Sequence, residues 1–345
     1  MSSVLSSPIA LGALVAILAF FVYTGIRVGP TFLIKRLAGL VFVVIGVTFI
    51  TFILGFFGAG PNGATAVVNQ CGIHCTPNVL VSLENFYHLR DPWYEQYGGF
   101  LTRLLHLDLG FSFNNRERTI TSILASGVPV SVSLQVEAII LQLLVGVPLG
   151  IYAALRAGSR FDTSTSGVTL LLYSMPSYIL ILIFQVAMVR LAQKGLPHLP
   201  IFGWNGPFAI EAVAPVIILA AIGMAYYTRL TRTTMLEVLG QDYIRTARAK
   251  GLRERVVIFR HALRNAMIPL VTALGPILAF SVSGAFFTET FFQIPGIGYA
   301  AVLSIQTYDL PVIQGVVLIG SIAVVVMNLV ADVVYGILDP RIKVV

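Results

Sequence analysis

Seven apolar runs in this chain are long enough to cross a bilayer: 8–26, 37–57, 130–154, 165–189, 212–228, 266–288 and 312–336. A hydrocarbon core of about 30 Å takes about 20 helical residues, and backbone groups in lipid must pair within their own segment. The pattern therefore predicts an all-α polytopic membrane protein with about seven transmembrane helices. A cleaved leader is the weaker reading of 8–26, because Met1–Ser7 carries no positive charge and Arg27, Lys35 and Arg36 follow the run.

Composition agrees: 57% of residues are apolar and 11% charged, with a mean hydropathy of +0.88, whereas soluble domains carry about a quarter charged residues. The net charge of +7 acquires meaning from its distribution. With seven spans, the connections 27–36, 155–164 and 229–265 and the segment after 336 share one side and hold 16 of the 22 Lys and Arg. The opposite side, 58–129, 190–211 and 289–311, holds six basic residues and eight of the 15 acidic ones. Positive residues favour the cytoplasmic side, so the N-terminus is expected outside and the C-terminus inside. The charge then belongs to a membrane surface and not to nucleic acid. In 58–129, Asp91-Pro92, Trp93, Tyr94 and Tyr97 predict short packed helices that cap the spans or offer a docking surface.

Several chemistries find no support. There is no Gly-x4-Gly-Lys-Ser/Thr loop to cradle nucleotide phosphates and no His-Glu-x2-His pair for zinc. His74, His88, His106, His198 and His261 all fall in connections. Ser281-Val282-Ser283-Gly284 lacks the leading Gly of a nucleophile elbow, which makes a membrane hydrolase the weakest class. Cys71 and Cys75, in Cys-Gly-Ile-His-Cys, lie on the expected outer side, where a turn at Gly72 and Pro77 would let them close a disulfide. With His74 they supply only three metal ligands, so no metal site is expected.

Ionisable residues inside spans are costly and usually face protein or water. Glu137 and Asp332 qualify, and Asn328 lies one turn before Asp332 on the same helix face. Structural bonding is the better reading of both acids. The rival is a self-contained channel or secondary carrier that uses them as coupling sites, but two isolated acids make a poor proton relay.

The cytoplasmic connection 229–265 is the most distinctive segment. Gly240-Gln241-Asp242-Tyr243-Ile244-Arg245-Thr246-Ala247-Arg248-Ala249-Lys250-Gly251-Leu252 predicts a short helix, with Asp242 as N-cap and Gly251 as the left-handed C-terminal cap. Tyr243, Ile244, Ala247 and Gly251 share one face, with Arg245 and Arg248 at its edge. A second helix from about Arg253 places Val256, Phe259, Leu263 and Ala266 on an apolar stripe and leads into the span after Pro269.

The run Asp242 to Gly251, followed by His261-Ala262-Leu263-Arg264-Asn265, resembles the Glu-Ala-Ala loop of ATP-binding-cassette importer permeases, and more narrowly the dipeptide, oligopeptide and nickel group. Arg245-Thr246-Ala247 stands where the general motif has Glu-Ala-Ala, a variant typical of the peptide group. The resemblance covers about 32–343. It includes Phe32 to Leu54, Leu107-Asp108-Leu109-Gly110-Phe111-Ser112 (Leu107 replacing a Gly), Glu289, Phe292, Pro295-Gly296-Ile297-Gly298, Asp309 and Pro311, then Asp332, Tyr335 and Asp339-Pro340-Arg341. Two features depart from the group: Gly60-Pro61-Asn62-Gly63 replaces its Pro-Gly-Asp-Pro, and a span precedes residue 30.

The resemblance implies a six-helix permease domain in 31–345, with an extracytoplasmic region at 58–129 and an ATPase-coupling loop at 229–265, to which the apolar run in 1–30 adds an extra N-terminal helix. It implies multi-pass residence in a prokaryotic plasma membrane and no cofactor on this chain. Expected partners are a second homologous permease, two cytoplasmic ATPase subunits carrying ATP and magnesium, and an extracytoplasmic solute-binding protein. Peptides are favoured over nickel chelates as cargo, since no His or Met cluster lines a span.

Overall fold

The computed structural model describes residues 30–58, 76–86, 90–115 and 117–338. The run 8–26, Cys71, Cys75 and Asp339-Pro340-Arg341 lie outside the described residues. The first described helix, α1 (Pro30–Gly58), is followed by α2 (Pro77–Phe86) and α3 (Trp93–Leu105) from the predicted outer connection. Tyr97 and Phe100 of α3 are buried with Phe52 of α1, and the Tyr97 hydroxyl donates to the Ile45 carbonyl at 3.0 Å. The ring of Phe49 meets Tyr97 edge-on at 5.3 Å. These aromatic residues thus pack along the side of α1 between Ile45 and Phe56, while Trp93 and Tyr94 keep exposed faces.

Helix α4 (Ile120–Leu155) has 36 residues, about 54 Å at 1.5 Å per residue. Thr119 caps it by accepting from the Ser122 N–H at 3.2 Å. Its main partner is α7 (Ile210–Leu239), which crosses it in the same direction. A Cβ on Gly150 would stand 2.6 Å from both the Thr228 carbonyl oxygen and Thr231 Cβ, and one on Gly146 would stand 3.0 Å from the Met224 carbonyl oxygen. The Thr228 hydroxyl donates to the Gly146 carbonyl at 3.1 Å. Lipid gives apolar helices no solvent-driven reason to associate, so backbone approach and such hydrogen bonds hold the pair. For the same reason, exposed Phe42, Leu54 and Leu144 suit a bilayer.

The predicted run 165–189 is two helices, α5 (Arg160–Ser174) and α6 (Ser177–Gln193), bent by 99°. The break falls at Met175-Pro176, because proline disfavours helical geometry at the preceding residue. The run 266–288 is also interrupted. Helix α10 (Leu263–Ser283) ends at Gly284, whose φ of +86° leaves the right-handed region, and α11 (Phe286–Phe292) and α12 (Ile297–Gln306) fold back before α13 (Leu310–Leu338). Among the described residues, four helices are long and apolar enough to cross a membrane, and the bent pair α5–α6 would make a fifth. The described residues thus show four or five of the seven expected spans and do not confirm the count of seven; the chain is a polytopic all-α membrane protein.

Besides the α1–α3 cluster, three buried clusters among the described residues hold these helices together. Leu134, Ile181, Val216 and Phe292 join α4, α6, α7 and α11, while Ile120, Ile297, Ala301 and Val312 join α4, α12 and α13. The third, below the α4–α7 crossing, carries the small helix that the basic loop predicts.

Candidate functional site

Asp242–Ala249 form α8, close to the expected bounds. Gln241, not Asp242, occupies the N-cap and makes no side-chain cap bond; Asp242 is the first helical residue, where a carboxylate suits the positive end of the helix. Gly251 has a φ of +74° and accepts the left-handed turn that ends the segment. Ile244 and Ala247 are buried with Ala154, Met235, Val257, Ile258, Ala262 and Ala266, so one side of α8 is packed against the ends of α4 and α7 and the start of α10. The other side presents Asp242, Tyr243, Arg245 and Arg248.

The link between α8 and α10 departs from the predicted stripe. After α9 (Glu254–Val256), Val257–Ala262 form a π turn before α10 begins at Leu263. The wider turn rotates the helix face: Val257, Ile258, Ala262 and Ala266 are buried, whereas Val256 and Phe259 are exposed and Leu263 is partly covered. Such turns interrupt helices frequently at functional places.

Polar contacts brace α8. The Asn265 amide donates to the Tyr243 hydroxyl at 2.8 Å, tying α8 to α10. Arg248 donates to Glu254 at 2.7 Å and 3.3 Å, closing the Lys250–Leu252 turn. These hydrogen bonds hold the Glu254 carboxyl below its ordinary range and raise the Arg248 guanidinium. Arg245 lies 3.4 Å from Asp242, an exposed pair worth little by itself. Arg264 is exposed and His261 partly covered within the π turn. On the neighbouring α5, Asp162 accepts a two-pronged bond from Arg232 of α7, one prong at 2.8 Å, and the Gly158 N–H at 2.9 Å. Sequence reasoning does not find this pair; its one signal was an acid in a strongly basic connection.

The remaining predicted residues sit far along the chain from α8. Glu289 is wholly buried. It accepts from the Ser131 hydroxyl at 2.8 Å, the Ala285 N–H at 2.8 Å and the Tyr299 N–H at 3.1 Å. The Ser131 oxygen in turn accepts from the Ile297 N–H at 2.8 Å. The motif glycines make room for this carboxylate: a Cβ on Gly296 would stand 2.5 Å from Ser131 Oγ, and one on Gly298 2.8 Å from the Phe286 nitrogen. Asp309, also buried, accepts from the Ser112 hydroxyl and from the Phe113 N–H at 3.0 Å. The Leu107–Ser112 motif is therefore fastened to the corner before α13. Glu137 accepts from the Phe208 N–H at 3.3 Å and 3.4 Å, which ties α4 to the loop before α7. Asn328 is exposed on α13; Asp332 follows on the same helix, its side chain outside the described residues. Among the described residues, no group of three His, Cys, Asp or Glu could hold a metal ion.

Fold and site define a class: a polytopic helical membrane protein whose spans carry a small, rigidly seated helix on their basic side. Two family models match, the binding-protein-dependent transport system inner membrane component over residues 146–344 and the N-terminal component of such membrane proteins over 30–135. The chain belongs to the family of binding-protein-dependent transport system inner membrane components. It is 37% identical over 315 residues to the dipeptide transport system permease protein DppB of Bacillus subtilis (strain 168), covering 90% of this chain and 97% of that protein. The dipeptide permease DppB of Escherichia coli (strain K12) is 36% identical over 342 residues, 90% of this chain and 98% of its own length. The oligopeptide transport system permease protein OppB of Salmonella typhimurium is 35% identical over 272 residues, 77% of this chain and 86% of its own.

Proposed function

We propose that this chain is the membrane-spanning permease subunit of an ATP-driven, binding-protein-dependent importer of dipeptides or oligopeptides in a prokaryotic plasma membrane. The observation that carries the reading is α8: its Ile244–Ala247 side is packed into the ends of three spans, and its Tyr243, Arg245 and Arg248 side is open to a partner. The peptide cargo rests on the dipeptide and oligopeptide permeases to which the chain is similar.

In this reading the chain pairs with a second homologous permease, two cytoplasmic ATPase subunits that bind ATP and magnesium, and an extracytoplasmic solute-binding protein. Residues 31–345 form a six-span permease domain with α8 as its cytoplasmic coupling helix, and 1–30 add a seventh span that places the N-terminus outside. Closure of the ATPases draws α8 of this chain towards its counterpart. Because α8 is bonded to α10 through Tyr243 and Asn265 and packed on α4 and α7, that movement is passed to the spans and opens the pathway outward. Hydrolysis lets it fall back inward. Each state is favoured only by the difference in how nucleotide and partner contact it, as population shift requires.

The test is composition and contact. The tagged chain, purified in mild detergent from its own membranes, is expected to bring two ATPase subunits and a second permease. Cysteine at position 245 should crosslink to an ATPase, and this crosslink should strengthen with a non-hydrolysable ATP analogue. Purification of the chain without any ATPase, under conditions that keep it monodisperse, would contradict the proposal.

A further inference from the structure

We infer that the corner between the end of α4 and the start of α5 is a binding site for the headgroup of an anionic phospholipid. This rests on the orientation proposed above, which places the corner at the inner leaflet. The Arg156 guanidinium lies over the Tyr152 ring at 4.5 Å, and the same ring meets Phe161 edge-on at 4.7 Å. The two rings, set nearly perpendicular at 84°, make an aromatic floor with one face open to Arg156 and join the helices across the tight turn at Gly158, with a φ of +79°. Arg156 lies on the Tyr152 ring and Arg160 is the first residue of α5, next to Phe161 in the chain; both are exposed, and neither is in an ion pair among the described residues.

The acid within the turn does not neutralise them. Asp162 is buried, and both its oxygens are taken by Arg232 and the Gly158 N–H. The corner therefore keeps two guanidinium groups without an ion pair among the described residues, one already held against an aromatic face. Beside them, Tyr152 and Leu155 leave apolar surface exposed. Cations above exposed aromatic and aliphatic groups match a phosphate above acyl chains, the arrangement of a membrane interface. An acidic protein surface would use the charges and leave the apolar floor unmatched.

The test uses the full chain in phosphatidylcholine nanodiscs with or without phosphatidylglycerol. Native mass spectrometry counts phosphatidylglycerol retained during delipidation. Each basic group at a membrane surface contributes about a fivefold effect, so Arg156→Gln with Arg160→Gln should weaken retention roughly 30-fold. Arg156→Lys should give an intermediate loss, because it keeps the charge and loses the planar stack. Arg190→Gln, at the opposite end of α6, should change nothing. Unfolding of the double variant in pure phosphatidylcholine should match wild type, which separates lost binding from lost folding. Equal retention by wild type and double variant would overturn the site. So would an unchanged lipid count coupled with loss of ATPase co-purification, which would make the corner a protein contact. Retention that follows the site while no ATPase ever co-purifies would leave this site standing and sink the importer.

Discussion

Replacing Gly296 with Ala should be severe although it adds one methyl group. The new Cβ would stand 2.5 Å from Ser131 Oγ and 2.7 Å from Glu289 Cδ, well inside normal contact. Neither neighbour can yield cheaply: Ser131 holds the Ile297 N–H, and Glu289 holds Ser131, the Ala285 N–H and the Tyr299 N–H, all buried or partly buried. Overpacking costs about 1–3 kcal/mol, and each buried partner left unpaired adds about 1–3 kcal/mol. A loss of about 2–6 kcal/mol follows if one bond breaks with the displacement. The control is Gly167→Ala in α5, where a Cβ meets nothing within 4 Å and should stabilise by about 0.5–1 kcal/mol. Thermal unfolding of both variants in the same nanodiscs, followed by intrinsic fluorescence, measures the contrast. A Gly296→Ala protein that unfolds with wild type would refute the description of Glu289 as a pin in a glycine-lined socket.

Three further outcomes follow from α8. Gly251→Val meets no neighbour within 4 Å but forces a branched residue to a φ of +74°, so about 1–2 kcal/mol of backbone strain should distort α8; ATP hydrolysis should continue in the assembled complex while peptide uptake falls, and Gly251→Asn should retain both. Ile244→Ala removes a wholly buried side chain from the α8 seat, costing about 2–5 kcal/mol and loosening ATPase capture in pull-down, whereas Arg245→Ala should weaken capture with little change in unfolding. The Glu254 carboxyl is held below its ordinary value by Arg248. Its support should be present above the usual carboxylate range and fade as pH falls through the depressed value. Wild type and Arg248→Gln should converge in stability at acid pH, by less than about 1 kcal/mol because both groups are half exposed.

The sequence is most legible where local chemistry decides the structure. Gly251 marks the end of α8 because few residues tolerate that backbone, and Pro176 carries the signal for the α5–α6 break inside an otherwise continuous apolar run. The stripe through Val256 and Phe259 fails because a 3.6-residue period was applied across a π turn, and no local residue announces the wider winding. Glu289 and Asp309 stand out through their motifs, but their roles as acceptors come from Ser131 and Ser112, more than 150 residues away. The Asp162–Arg232 pair and the Gly146–Gly150 seat for α7 are equally non-local. Apolar periodicity separates lipid-compatible segments from connections, yet it says little about which helix faces meet, because lipid and protein interiors reward the same side chains.

The most direct measurement of the central claim is peptide uptake by proteoliposomes of defined composition. With this chain, its companion permease, both ATPases, a peptide-loaded binding protein and ATP, labelled dipeptide should accumulate, and omission of any one protein or of ATP should abolish accumulation. Rapid uptake by this chain alone, with no nucleotide and no companions, would contradict the account of α8 as a handle driven from outside.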